Sequence, residues 1–203
     1  MNASTGEVEV ILQFWFGPLD ASGSSDDAHT RRWFAKDAAF DLELGTRFGA
    51  VHQAVLSGHR EAWLEELRGR LAYVVVLDQL SRNLYRDDGR AFAGDARALA
   101  AALDGLERRD DLSLPLDERA FLYMPLMHSE DLELQDRSVA LFAALATDTP
   151  AARAELASER IRFAERHRDI IRRFGRFPHR NAALGRASTP EEAEFLKQPN
   201  SGF

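Results

Sequence analysis

Three clusters of polar side chains interrupt otherwise apolar stretches of this chain, and each holds residue types that could do chemistry. The first is Asp78, Gln79, Arg82 and Asn83, in DQLSRNLYR. At helical spacing Asp78 and Arg82 are i, i+4 neighbours, as are Gln79 and Asn83, so the four occupy adjoining rows of one face. A charge on so apolar a helix must be paired or must face a cavity, because an unpaired buried charge is costly. The pattern therefore fits either a salt bridge between helices or a ligand site. The second cluster is Tyr123, His128, Glu130 and Asp131, in FLYMPLMHSED. A carboxylate beside an imidazole fixes its tautomer and raises its basicity, which makes His128 a candidate general base. Ser129, Glu130 or Asp131 can instead cap the next helix, a role that leaves His128 unexplained. The third cluster is Arg172, Arg173, Arg176, His179, Arg180 and Asn181, in IIRRFGRFPHRNAALGR. Guanidinium forks, an imidazole and an amide on a proline-stiffened turn are suited to holding a carboxylate or phosphate. The candidate proton-transfer groups are thus His128 and His179, with Asp78 or Glu130 to orient them. The candidate ligand-binding groups are Arg82, Asn83, Gln79, Arg176, Arg180 and Asn181.

Other chemistries lack their residues. With no cysteine in 203 residues there is no thiol nucleophile, thiolate zinc site or disulfide framework. No HExxH is present, the six histidines have no ligand-like spacing, and there is no phosphate loop, dinucleotide-binding glycine motif or nucleophile elbow. No metal or cofactor is expected. His167, on an apolar helix stripe, reads as a satisfied core histidine, and Trp15, Phe16, Trp33 and Phe34 read as core.

Charge sharpens the third cluster. The net charge is -7, which argues against broad binding to phosphate backbones and makes nucleic acid a poor partner. Yet nine arginines face only Glu165 and Asp169 between Arg160 and Arg186, so a segment of +7 sits in a remainder of -14. Either acidic neighbours pair with these arginines or they form a local anion site. All the basic residues but Lys36 and Lys197 are arginine, a bias that codon usage explains.

The elements that must position these residues are helical almost throughout. Val8, Ile11, Leu12 and Trp15 form a helical stripe closed by Gly17-Pro18, and a Ser/Asp/Gly-rich loop follows from Ala21 to Asp27. Trp33 and Phe34 sit on a short helix; Phe40, Leu44, Phe48, Val51 and Val55 lie on a longer one ending near Ser57-Gly58. Residues 61–84 contain a valine-rich, strand-like run from Tyr73 to Leu77, but no second strand exists to pair with it. The segment is read as one helix, apolar on most sides and therefore central. Further helices are expected over Ala91 to Arg108 with Asp95 as a cap, and over Leu116 to Met127, ended or kinked by Pro125. Another carries Leu132, Val139, Phe142 and Ala146. The next runs to Phe174, with Asp148-Thr149-Pro150 as its start and Gly175 as its left-handed stop. Thr189-Pro190-Glu191-Glu192 is a capping box opening a last short helix to about Lys197. The expectation is one all-α domain over residues 1–203, with eight or nine helices stacked as antiparallel hairpins. The start of the chain is acidic before a short apolar run, which fits neither a signal peptide nor a membrane span, so a cytoplasmic protein is expected.

The wording ILQFWFG, LDQLSRNLYR, FLYMPLMHSEDL and HRDIIRRFGRFPHRNAALGRASTPEE resembles the bacterial family called domain of unknown function 924. The resemblance spans nearly the whole chain and implies an all-α fold related to tetratricopeptide-repeat hairpins, with no activity to carry over. The matching residues are Asp78, Gln79, Arg82, Asn83, His128, Ser129, Glu130, Arg176, Pro178, His179, Arg180 and Asn181, with Leu80 where the family often has phenylalanine. Two functions follow as expectations. One is a site for a small anion, with or without acid-base catalysis, formed where the clusters converge. The other is a groove that receives an acidic peptide.

Overall fold

The computed structural model describes residues 3–199 and 201–202. The helices are α1 (Ala3–Phe16), α2 (Asp27–Phe34), α3 (Ala38–Leu56), α4 (Leu67–Val74), α5 (Ser81–Leu84), α6 (Asp95–Glu107), α7 (Leu116–Met127), α8 (Leu132–Asp148), α9 (Ala154–Phe174) and α10 (Pro190–Phe195). No strand occurs among the described residues, and none of their helices is long and apolar enough to cross a membrane. The fold is all-α.

The strand-like run lies at the centre, as its apolar circumference requires. Residues from Leu71 to Leu77 are almost wholly inaccessible, and α4 packs against α1, α6 and α7. The single helix expected over 61–84 is divided, however. Glu61–Glu65 is a separate 3-10 turn, and between α4 and α5 the backbone widens into a π-helix over Val75–Leu80. Such a stretch inserts a residue into the helical repeat and turns the following side chains to a new direction. It carries Asp78 and Gln79.

Three other boundaries differ from expectation. Pro125 neither ends nor breaks α7, which continues to Met127. Proline deletes the one donor that would reach the carbonyl of Phe121, and so close to the end of a helix that loss is tolerable. Pro150 precedes a 3-10 turn, Ala151–Arg153, rather than opening α9, while Asp148 ends α8 and pairs with Arg119 at 2.7 Å. Asp95 does not cap α6: Gly94 holds the cap position, and Asp95 stands in the first turn with its carboxylate directed to arginines. Gly94 is needed there, since a Cβ would come within 3.0 Å of the Leu77 carbonyl oxygen. Ala91, expected to open this helix, lies in a preceding 3-10 turn, Gly89–Phe92; at the remaining ends the punctuation is as expected. Gly175 is left-handed (φ 67°), and Thr189 forms its capping box with Glu192. Asp131 caps α8 by accepting from the backbone of Glu133 and Leu134.

One core runs through α1 to α9, rich in edge-to-face aromatic pairs such as Trp33 with Phe121, at 4.7 Å between centroids. Trp33 Nε1 donates to the Trp15 carbonyl at 2.8 Å, which satisfies its buried polar atom. Phe34 departs from the expected core and is 64% exposed. Replacing Asp131 with Ala removes two capping bonds, so urea unfolding should show a loss of about 1 kcal/mol with the fold retained by circular dichroism.

Candidate functional site

Asp78 is fully buried, and its compensation defines the site. Gln79 Nε2 donates to one of its oxygens at 2.5 Å, and His128 Nδ1 donates to the other at 2.7 Å. Arg82, one turn along, lies 3.1 Å from that same oxygen and also donates to the Asp78 backbone carbonyl at 2.5 Å. The spacing within DQLSR thus pairs Asp78 and Arg82, while the end of α7 supplies the imidazole. Arg82 then reaches Asp95 with two parallel hydrogen bonds, 3.1 and 3.2 Å. Arg180 meets the same carboxylate at 3.3 Å from a turn 85 residues further along. Its guanidinium lies between the rings of Phe92 and Phe177, 4.7 and 4.5 Å from their centroids.

Arg180 is 6% exposed, yet its Nε makes no hydrogen bond among the described residues. Burial, and then the adjacent Arg82 cation, bring its pKa down to about 10. It is still charged at neutral pH, but less fully compensated than its neighbours. Burial alone would raise the Asp78 carboxyl; Arg82 and His128 overcome this and hold it well below the usual carboxylate range. Burial, reinforced by Arg82, lowers His128 despite its carboxylate partner, so the imidazole is neutral at pH 7. Its Nδ1–H is committed to Asp78, which leaves the lone pair on Nε2, an atom that forms no hydrogen bond among the described residues. His179 is pushed down to about 4 by burial, then by Arg180 and Arg82. His167 lies behind His128, 6.0 Å between ring centroids, and its Nδ1 donates to the Phe163 carbonyl at 2.8 Å.

The structure brings Asp78, Gln79, Arg82, His128, His179 and Arg180 together and places the remaining sequence candidates elsewhere. Asn83 donates to Asp41, which also holds Arg86, on the α3 side of α5. Arg176 makes a two-pronged pair with Glu192 at 2.6 and 2.7 Å. Asn181 donates to Glu192 and Ser188. Arg176 first, then the Thr189 backbone, hold Glu192 down to about 2. Glu130 accepts from Arg186 at 2.7 and 2.9 Å and from the Phe177 backbone at 2.8 Å, so it clamps the turn that carries His179 and Arg180. Asp95 is a site member that the sequence reading took for a cap. Its only signal was an acidic residue in a first helical turn, which is also what a helix dipole favours. Among the described residues no group of three His, Asp or Glu is arranged to hold a metal ion.

Among the described residues this is an all-helical protein with two arginines gathered around a buried aspartate–histidine pair. The chain belongs to a bacterial family of proteins of unknown function, DUF924, whose model matches residues 11–200. It is similar to the protein of unknown function ATU0120 from Agrobacterium tumefaciens. The two chains are 34% identical and superpose with a TM-score of 0.79 over 96% of this chain and 98% of that one. No curated protein matches the chain.

The imidazoles make stability depend on acid. A histidine whose folded pKa is depressed stays neutral while the unfolded chain takes up a proton. Its contribution is complete above about pH 6.5 and is lost as pH falls toward the folded value, which for His179 is about 4. Asp78, also depressed, keeps its contribution until pH falls below about 3.9. The urea midpoint should therefore be level above pH 7 and fall between pH 6.5 and 4, and His179→Gln should make that fall shallower.

Proposed function

We propose that the protein binds a small carboxylate or phosphate anion against Arg82 and Arg180, with His128, oriented by Asp78, as the proton-transfer group. The observation that supports this best is Arg180: a guanidinium 6% exposed, held between two rings, with one ion pair at 3.3 Å and a buried Nε that makes no hydrogen bond among the described residues. A buried donor without a partner costs on the order of 1–3 kcal/mol, and an oxyanion offers the acceptor it lacks. His128 presents a neutral Nε2 lone pair in the same cluster, suited to taking a proton from a bound acid or from water.

A peptide groove fits less well. Most of the basic segment is engaged internally: Arg168 and Arg172 with Asp136 and Asp169, Arg173 with Glu191, Arg176 with Glu192, and Arg186 with Glu130. Few of those charges are left to read an acidic partner.

The charges of Asp78, Asp95, Arg82 and Arg180 balance, so an added anion favours protonation of His128 or His179. Binding should then strengthen as pH falls from 7.5 to 6, by up to about tenfold per unit for one proton taken up. Inorganic phosphate and malonate, titrated by calorimetry, are the first probes. Arg180→Gln should abolish binding while leaving Asp95 paired with Arg82, and His128→Asn should weaken the pH dependence. Equal binding by wild type and Arg180→Gln would refute the assignment.

A further inference from the structure

A separate cavity of about 470 Å³ opens between α2, α7 and α9, within the size range of small-molecule sites. Its walls are apolar, with Trp33, Phe121, Met127 and Phe142 among the lining residues. Trp33 and Phe121 are locked edge to face, and the methionine is a side chain that adapts to irregular ligands. Phe34 and Phe163 also line it, 6.5 Å apart between ring centroids, and both are exposed, Phe34 by 64%. Large exposed aromatics grouped around an apolar cavity mark a binding surface rather than scattered surface residues.

The charged lining has a definite sign. Arg160, Arg162 and Arg166 stand on the α9 side, and Glu159 is the one carboxylate among the lining residues. Arg160 is committed to the buried Asp117 at 2.5 Å. Arg162 is exposed and forms no salt bridge among the described residues, and the Arg166 guanidinium lies 5.7 Å from the Phe163 ring centroid. A cation beside an aromatic mouth suits a ligand with an apolar body and one anionic head.

We infer that this cavity binds a small amphiphilic carboxylate, its hydrocarbon portion among Trp33, Phe121 and Phe142 and its carboxylate at Arg162. The site is distinct from the Asp78–His128 cluster, from which Met124 separates it. Met124 faces the cavity, and its sulfur lies 3.5 Å from Gln79 Nε2 on the other side.

Decanoate and decan-1-ol, titrated by calorimetry and by tryptophan fluorescence, test the inference on the whole protein. Decanoate should bind saturably and at least tenfold more tightly than the alcohol. Arg162→Gln should remove that preference, leaving the alcohol unaffected. Leu156→Trp, which fills the cavity, should abolish binding of both. Phe34→Ser, at an exposed position that the fold does not depend on, should weaken both severalfold. Arg180→Gln should leave decanoate binding unchanged, which separates this site from the anion site above. No saturable binding of decanoate, equal affinity for acid and alcohol, or loss of decanoate binding in Arg180→Gln would overturn the inference.

Discussion

A carboxylate in the interior of a helical protein costs several kcal/mol to desolvate, and the Asp78 side chain is buried completely. Its compensation involves four parts of the chain. Gln79 and Arg82 come from its own helical segment, and His128 comes from the end of α7. Through Arg82 the charge is passed to Asp95 at the start of α6, and through Asp95 to Arg180 beyond α9. Each of these groups would be an uncompensated charge or dipole without the next. The junction of α4 and α5, the end of α7, the start of α6 and the carboxy-terminal turn are therefore fixed relative to one another by electrostatics as well as by packing.

The outer carboxylates serve that centre at one remove. Glu130 joins Arg186 to the Phe177 backbone, and Glu192 joins Arg176, Asn181 and the Thr189 cap. Together they hold both ends of the turn from Gly175 to Asn181. On that turn His179 and Arg180 point back toward Arg82, close enough for Arg82 to depress both their pKa values. The excess of arginine in this segment thus has two parts. Arg173, Arg176 and Arg186 on the outside are matched by acids around the turn, while Arg180 on the inside keeps a buried Nε without a hydrogen bond among the described residues. That unmatched donor is what the proposed anion would satisfy, because a fully satisfied network has nothing left to offer a ligand.

Much of this was legible in the letters, for identifiable reasons. Helical periodicity, left-handed glycine at 175 and the capping box at 189 are local properties, set by backbone sterics and by side chains within four residues, so sequence spacing reports them directly. The pairing of Asp78 with Arg82 was legible on the same ground, being an i, i+4 contact. The segment from Tyr73 to Leu77 could be assigned to a central helix because it had no partner strand and was apolar around its circumference.

The sequence by itself determined the all-α class, the central position of the valine-rich helix, and three polar clusters whose charges needed partners. Only the tertiary structure decided which partners they found. It separated Asn83, Arg176, Asn181 and Glu130 from Asp78, Arg82, His128 and Arg180, and it drew in Asp95. It also turned Phe34 outward to the mouth of a cavity. The physical reason is range: capping and helical spacing act over a single turn, whereas the compensation of a buried charge is settled between residues far apart in the chain, 85 positions for Asp95 and Arg180. Those residues meet only because the apolar core has already fixed where each helix ends.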